Sequence, residues 1–169
     1  KVNAAQLEHF RRLLATLGLP DALAYTLADW IDDDGQAQPQ GGAEDAYYLA
    51  LDPPYLTANR PLIDVAELAL VSGFDVSVRA RLRPYVTALP GFTAVNVNTA
   101  PPEVLAAVVD GLDLGVAQAL VAERDRAYYR DAFDFSNRLP RGAAAAAGDI
   151  GVSSDYFMAT LRVTIGGAQ

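Results

Sequence analysis

The feature that most restricts the fold is a helix break that occurs three times, each a glycine followed by a large apolar residue and then an aspartate. The three breaks are Gly18-Leu19-Pro20-Asp21, Gly73-Phe74-Asp75 and Gly111-Leu112-Asp113. Glycine readily adopts the left-handed conformation that ends many helices, and aspartate is a preferred helix N-cap. Proline is also tolerated in the first turn. We therefore expect pairs of helices joined by short turns.

Apolar residues recur at helical spacing on both sides of these breaks, which supports the same interpretation. The first helix carries Leu7, Phe10, Leu13, Leu14 and Leu17, and the second carries Leu23, Leu27, Trp30 and Ile31. Capping-box spacing at Asn3/Gln6 marks the start of the first helix, and the same spacing at Asp64/Glu67 marks the start of a later one. Another helix runs from Asp75 towards Leu82, and Pro84 should end it. Any short glycine turn would explain one copy, whereas three copies favour helix-hairpin-helix units.

The charge balance and the hairpin residues both argue against a nucleic-acid partner. Lys plus Arg is 13 and Asp plus Glu is 21, so the net charge is −8. Nucleic-acid and anionic-membrane binding both require clustered positive charge. Asp75 and Asp113 stand where DNA-binding hairpins carry a second glycine, and a carboxylate there repels phosphate. We expect the hairpins to be structural and the chain to bind no nucleic acid.

Several enzyme and metal classes are also excluded or weakened by the composition. There is no Cys, so disulfides and thiolate metal sites are excluded, and His9 is the only histidine. No G-x-S-x-G, HExxH or phosphate-binding glycine loop is present. An acidic loop could supply a general acid/base pair, but almost any acidic loop could do so. We therefore expect no enzymatic activity.

Residues 32–61 predict a long loop rich in acidic residues, glycine and proline, with one short helix around Ala43–Leu51. Its carboxylates at Asp32, Asp34, Glu44 and Asp45 would repel one another, and a hard cation such as Ca²⁺ would relieve that repulsion. The spacing is not that of an EF-hand, because Gly is absent at the sixth position and Glu44 lies one residue past the twelfth. From these residues alone, a calcium loop and a solvated acidic turn both remain open.

The remaining segments are less strongly specified. Phe133 and Phe135 are expected to anchor their segment in the core. The Ala-rich stretch Arg141–Gly148 predicts a short helix or a mobile connector. From Tyr156 to Ile165, apolar and polar residues alternate, which predicts a strand with one buried face. A lone strand needs partners, so we expect this chain to be a piece of a longer protein.

An ordered set of motifs gives the chain a family resemblance. The motifs are Ala28-Asp29-Trp30-Ile31-Asp32-Asp33-Asp34, Gly42-Ala43-Glu44-Asp45 with Tyr48, Pro54-Tyr55, Ala58-Asn59-Arg60-Pro61-Leu62, Val65-Ala66-Glu67-Leu68 and Asn96-Val97-Asn98-Thr99-Ala100. Together they resemble the minor pseudopilin K family of bacterial type II secretion systems over nearly the whole chain.

The resemblance implies a mainly α fold. A helix-hairpin-helix, SAM-like helical domain would be inserted in a pseudopilin α/β fold, with one or few strands at the C-terminal end. Residues 1–150 would form the helical domain, with 1–90 as a first lobe that holds the acidic loop and 91–140 as a second helix-hairpin-helix-like unit. Residues 151–169 would be the strand that returns to the pseudopilin sheet.

The resemblance also implies a function. Such a protein would be a structural subunit that caps the periplasmic tip of the pseudopilus with minor pseudopilins I and J and supports export of folded exoproteins. It would be periplasmic and anchored in the inner membrane of a Gram-negative bacterium by an N-terminal helix absent from this chain. The family also implies calcium in the helical domain, with Asp32, Asp34, Glu44 and Asp45 as ligands and Gln36 or backbone carbonyls as alternatives. A competence-type helix-hairpin-helix nucleic-acid protein, which shares the Asn-x-Asn-Thr-Ala pattern, is the alternative.

Overall fold

The computed structural model describes residues 2–164 and 166. The helices of its first lobe are α1 (Ala4–Thr16), α2 (Ala22–Ile31), α3 (Asp45–Tyr48), a 3₁₀ helix (Val65–Leu70) and α4 (Val76–Leu82). Those of the second lobe are α5 (Pro102–Val108), α6 (Leu114–Arg124) and α7 (Ala132–Asn137). Strand β1 (Val95–Asn96) pairs in parallel with β2 (Ile150–Gly151), with Val95 opposite Ile150. The predicted mainly α fold with few strands is confirmed.

At each of the three helix breaks the glycine has the left-handed conformation that its sequence predicts, although Asp21 makes no capping hydrogen bond at the first of them. Gly18, Gly73 and Gly111 have φ values of 60°, 82° and 68°. In this left-handed region glycine is strongly preferred because it has no Cβ. The apolar residue that follows each glycine is buried: Leu19, Phe74 and Leu112 are 8%, 3% and 6% exposed. Each break therefore reverses the chain and also contributes an anchor to the core.

Two apolar clusters form the interior. The first is built from α1, α2, α3, the 3₁₀ helix and α4 around Leu14, Trp30 and Leu82. The second is built from α5, α6, α7 and the two strands around Val97, Leu105 and Phe135. Helix α1 packs against both α2 and α5, so it lies between the lobes.

Two polar contacts also connect α1 to the second lobe. His9 Nε2 lies 3.4 Å from Asp149 Oδ2, and Arg12 Nη1 lies 3.3 Å from Asp110 Oδ1. The His9 contact is the better shielded of the two, because Asp110 is largely exposed. The apolar packing of α1 on α5 is thus accompanied by at least one part-buried polar contact.

Three predictions of local structure require correction. The capping box at Asp64 forms as predicted, but it begins a 3₁₀ helix. Phe135 is fully buried, whereas Phe133 is 74% exposed. The two phenylalanines lie two positions apart, so they point to different sides of the short helix α7. Residues 141–148, for which a short helix or a connector was open, form a connector, in which Ala144 makes an isolated antiparallel bridge with Asp110.

The predicted strand Tyr156–Ile165 is the third correction. Residues 156–164 have no strand pairing, and Ile165 lies outside the described residues. Phe157, Leu161 and Val163 are 87%, 90% and 80% exposed. A strand requires a neighbour to satisfy its backbone and cover its apolar face, and the rest of the described chain supplies none here. No helix among the described residues is long and apolar enough to cross a membrane.

Candidate metal centre

The acidic loop starts and ends at helix termini, which fix the positions of its two most buried carboxylates. Asp32 is the C-cap of α2 and Glu44 is the N-cap of α3. Both residues are only 6% exposed. The loop between them contains Gly35, Pro39, Gly41 and Gly42, which favour turns over regular structure. Two charged groups far apart in the chain are therefore held below the surface on rigid elements.

Three of the four predicted ligands lie close together. One carboxylate oxygen from each of Asp32, Asp34 and Glu44 lies within 4.8 Å of the other two. The loop turns tightly at its start, because the Asp34 N–H donates to Asp32 Oδ1 and the Gln36 N–H donates to Asp34 Oδ1. This turn brings Asp34 back towards Asp32. Gln36 itself, the alternative ligand, is exposed.

Glu44 is the residue that most clearly lacks a partner. Its Oε1 atom is buried and accepts no hydrogen bond from the described residues. Burial disfavours the charged form, and the carboxylates of Asp29 and Asp32 repel it, so the pKa of Glu44 is raised to about 7. An unsatisfied buried oxygen that faces other carboxylates is costly unless a cation or a proton is present.

Asp45, the fourth predicted ligand, is not in this group. Its Oδ1 accepts hydrogen bonds from the Thr57 N–H at 2.9 Å and from the Thr57 hydroxyl at 2.6 Å. These bonds lower the pKa of Asp45, because they stabilise the carboxylate. Asp45 therefore ties helix α3 to the chain at residue 57.

The sequence analysis missed Asp29 as a residue of this region. Asp29 is 0% exposed, and its carboxylate accepts hydrogen bonds from the backbone N–H of Gln38 and of Ala43. Burial raises the pKa of Asp29, while these bonds oppose the rise. The available signal was its position in α2 between two residues of the apolar core, Ala28 and Trp30.

The donor set fits calcium. Ca²⁺ takes six to eight oxygen ligands from carboxylates, backbone carbonyls and water, and tolerates irregular geometry. Asp32, Asp34 and Glu44 would supply the carboxylate oxygens, and a cation there would neutralise the charge that now faces the buried Glu44 oxygen. A bound Ca²⁺ would have a structural role, because it would join the end of α2 to the start of α3.

The hairpins were the other candidate site, and the aspartates of two of them, Asp75 and Asp113, cap their own helices, whereas Asp21 makes no capping hydrogen bond. Asp75 accepts a hydrogen bond from the Val78 N–H, and Asp113 accepts one from the Val116 N–H, both at 2.8 Å. In a phosphate-binding hairpin such N–H groups would face the ligand. Here the carboxylates of Asp75 and Asp113 already accept hydrogen bonds from those N–H groups. Their charge would repel a phosphate, and their side chains occupy the space that it would need.

Comparison with known proteins points to one family over both lobes. Two family models, both described as type II secretion system (T2SS) protein K, match residues 1–91 and 95–153. A curated "Type II secretion system protein K" of Pseudomonas aeruginosa is 39% identical over 171 residues, covering 98% of this chain and 51% of that protein. The protein of the same name from Klebsiella pneumoniae is 40% identical, covering 95% and 52%.

A solved structure shows the same fold. The matching chain belongs to the GspK–GspI–GspJ complex of the type 2 secretion system of enterotoxigenic Escherichia coli. Its TM-score is 0.73 at 27% identity, and the match covers 91% of this chain and 59% of that one. The chain spans about half the length of the curated relatives it matches.

Proposed function

The chain belongs to the type II secretion system protein K family, and from this premise we propose that it is a non-enzymatic, structural part of the secretion pseudopilus. In this proposal the protein caps the periplasmic tip together with minor pseudopilins I and J and supports the export of folded exoproteins. The observation that carries it is the likeness to the K chain of a K–I–J complex over 91% of this chain.

The segment after β2 has the properties of a strand that pairs with a sheet formed by other parts of the whole protein. Residues 156–164 form no regular structure, have no strand partner and are apolar on alternate positions, with Leu161 90% exposed. Such a segment gains backbone hydrogen bonds and apolar burial when it is added to a sheet edge. We propose that it joins the pseudopilin sheet of the whole protein, which would stay anchored in the inner membrane by an N-terminal helix.

The hairpin geometry favours this structural function over the nucleic-acid alternative. Asp75 and Asp113 cap their own helices, and the net charge is −8. Both features oppose phosphate binding. A DNA-binding function would need basic groups where these carboxylates lie.

We further propose that Ca²⁺ binds at Asp32, Asp34 and Glu44 and stabilises the first lobe, with Asp45 supporting α3 through Thr57. The buried, unpartnered oxygen of Glu44 is the observation that supports a cation in addition to the cluster itself. Calorimetric titration of the chain with Ca²⁺, with Mg²⁺ as the comparison, tests this site. Mg²⁺ should bind more weakly, because it demands a tight octahedron and dehydrates reluctantly.

Complex formation and secretion test the main proposal. The periplasmic part of the whole protein is mixed with the corresponding I and J pseudopilins and analysed by size exclusion with light scattering. A stoichiometric complex of the three is expected, and a strain lacking the gene should regain exoprotein secretion when the whole gene is restored. Absence of any complex, or secretion that does not depend on the gene, would contradict the assignment.

A further inference from the structure

One face of helix α2 holds the returning arm of the acidic loop. Ala22, Thr26 and Asp29 lie at i, i+4 and i+7, so they share a face of the helix. The Thr26 hydroxyl lies 3.1 Å from the Gly41 carbonyl oxygen, and the Asp29 Oδ2 atom lies 3.0 Å from the Gln38 nitrogen. Residues 38–43 thus lie directly on α2, and Glu44 follows them without a break.

The closest approach is at Gly42. A Cβ atom added to this residue would lie 2.0 Å from Asp29 Oδ2 and 2.5 Å from the Gln38 nitrogen. No side chain could occupy that space without displacing either the carboxylate or the loop backbone. The preceding Gly41 has a φ of 114° and a Cβ position 3.1 Å from the Ala22 Cβ, so it too is restricted to glycine.

We propose that Asp29 and Gly42, which we call the clamp, are positioning residues that set calcium affinity by holding Glu44 beside Asp32 and Asp34. This inference rests on the proposed calcium site. Asp29 is not a ligand in this scheme, because its carboxylate accepts backbone hydrogen bonds from Gln38 and Ala43. It acts through Glu44, whose place is fixed by the arm that the clamp holds.

The arrangement explains why a fully buried carboxylate is present beside a cluster of like charges. Asp32 and Glu44 cap helices, but the glycine-rich stretch that joins them would otherwise sample many conformations in the absence of a cation. An anchor on α2 removes much of that freedom before the ion binds, and preorganisation of this kind raises affinity. Groups that orient metal ligands commonly affect metal affinity by about 10–100-fold when they are altered.

Two variants separate the clamp from the ligands. Gly42→Ala changes no charge and no ligand, and adds one methyl group against the Asp29 carboxylate. Asp29→Asn removes the charge and places an amide donor near backbone N–H groups. Gly35→Ala is the matched control for the first variant, since a Cβ there meets nothing within 4 Å in the same loop. Asp125→Asn, on an exposed position after α6, is the charge control for the second.

The measurement is the calcium Kd of the folded chain by calorimetric titration at pH 8, with the fluorescence of the single tryptophan, Trp30, as a second readout. Far-ultraviolet circular dichroism verifies folding. Global destabilisation alone does not change the Kd of protein that remains folded, so this readout isolates positioning. We expect Gly42→Ala and Asp29→Asn to weaken binding by about tenfold or more, and both controls to match the parent.

Each outcome decides between distinct claims. If the parent binds Ca²⁺ and both clamp variants bind it equally well, the clamp is overturned while the calcium site stands. If the parent binds no Ca²⁺, the site is overturned and the clamp with it. If both clamp variants lose their helical signal, Thr26→Val decides, because it removes only the hydroxyl that contacts Gly41. A weakened Kd in that variant supports the clamp, and an unchanged one overturns it.

Discussion

A carboxylate oxygen of Glu44 lies within 4.8 Å of a carboxylate oxygen of Asp32, although the two residues stand at opposite ends of the acidic loop. Both side chains are almost fully buried. Without a cation, this pair stores electrostatic repulsion at the junction of α2 and α3. The behaviour of Glu44 is therefore the most direct measure of what the loop does.

Replacing Glu44 by Gln should have opposite effects with and without calcium. In chelator at pH 8 the variant should be more stable than the parent, because a buried charge among carboxylates is gone. In Ca²⁺ the parent should gain about 2.7 kcal/mol at one hundred times Kd, and the variant should gain little. Thermal and urea unfolding in both media measure this. A parent that unfolds identically in chelator and in calcium would contradict the prediction.

The same residue predicts a pH dependence of the metal-free protein. The folded pKa of Glu44 is about 7 and its ordinary value is 4.5, so the folded state binds more protons between these pH values. The free energy of unfolding should therefore fall as pH rises from 4.5 to 7. Urea unfolding in chelator across this range should show the slope in the parent and a weaker slope in Glu44→Gln.

His9 predicts a pH effect of the opposite sign. Burial lowers the pKa of His9 below 6.5, and together with the smaller effect of Arg12 it outweighs the opposing effects of Asp149 and Glu8. The unfolded state then binds more protons just below pH 6.5, so stability should be lost as pH falls through that value. Urea unfolding of His9→Gln in a Glu44→Gln background should lack this loss. An unchanged slope would show that His9 does not titrate at the α1 contact with Asp149.

The two phenylalanines of α7 should respond very differently to truncation. Phe135→Ala removes a fully buried ring that stacks edge-on against Tyr129 at 5.0 Å, and should cost about 3–5 kcal/mol. Phe133→Ala, at a 74% exposed position, is the matched control and should stay within about 0.5 kcal/mol of the parent. Equal effects at the two positions in urea unfolding would contradict the placement of α7.

The C-terminal segment should change its protection on assembly. In this chain the amides of residues 156–164 should exchange faster than those of α6, because the segment has no paired strand. In the whole protein they should become protected, and Leu161→Asp should reduce that protection. Hydrogen exchange read by mass spectrometry compares the two. Strong protection in a monomer of this chain would show that the segment pairs without further sequence.

DNA binding offers a severe test of the capped hairpins. The chain should give no electrophoretic shift even at low salt, where attraction to phosphate is strongest. The reason is the net charge of −8 together with the aspartate caps of α4 and α6. A salt-sensitive shift would show that the hairpins bind nucleic acid after all.

Much of the local structure follows from the sequence because it depends on neighbours in the chain. The left-handed glycines at 18, 73 and 111, the caps at Asp75 and Asp113, and the end of α4 before Pro84 each depend on a few adjacent residues. The gathering of Asp32, Asp34 and Glu44 was also anticipated, since all three lie on one loop bounded by helices. The calcium assignment itself remains a prediction.

What the sequence could not decide depends on residues distant along the chain. Asp45 accepts hydrogen bonds from Thr57 and leaves the cluster, whereas Asp29 is buried where residues 38–43 cross α2. Phe133 and Phe135 have the same chemistry, and only the packing around Tyr129 selects the buried one. The alternating pattern after Tyr156 predicts a strand, but residues 156–164 have no strand partner among the described residues. The sequence determined turns, caps and helix starts, because these depend on short-range sterics and hydrogen bonding. The tertiary structure decided which polar groups meet, because burial and the choice of partner depend on the whole fold.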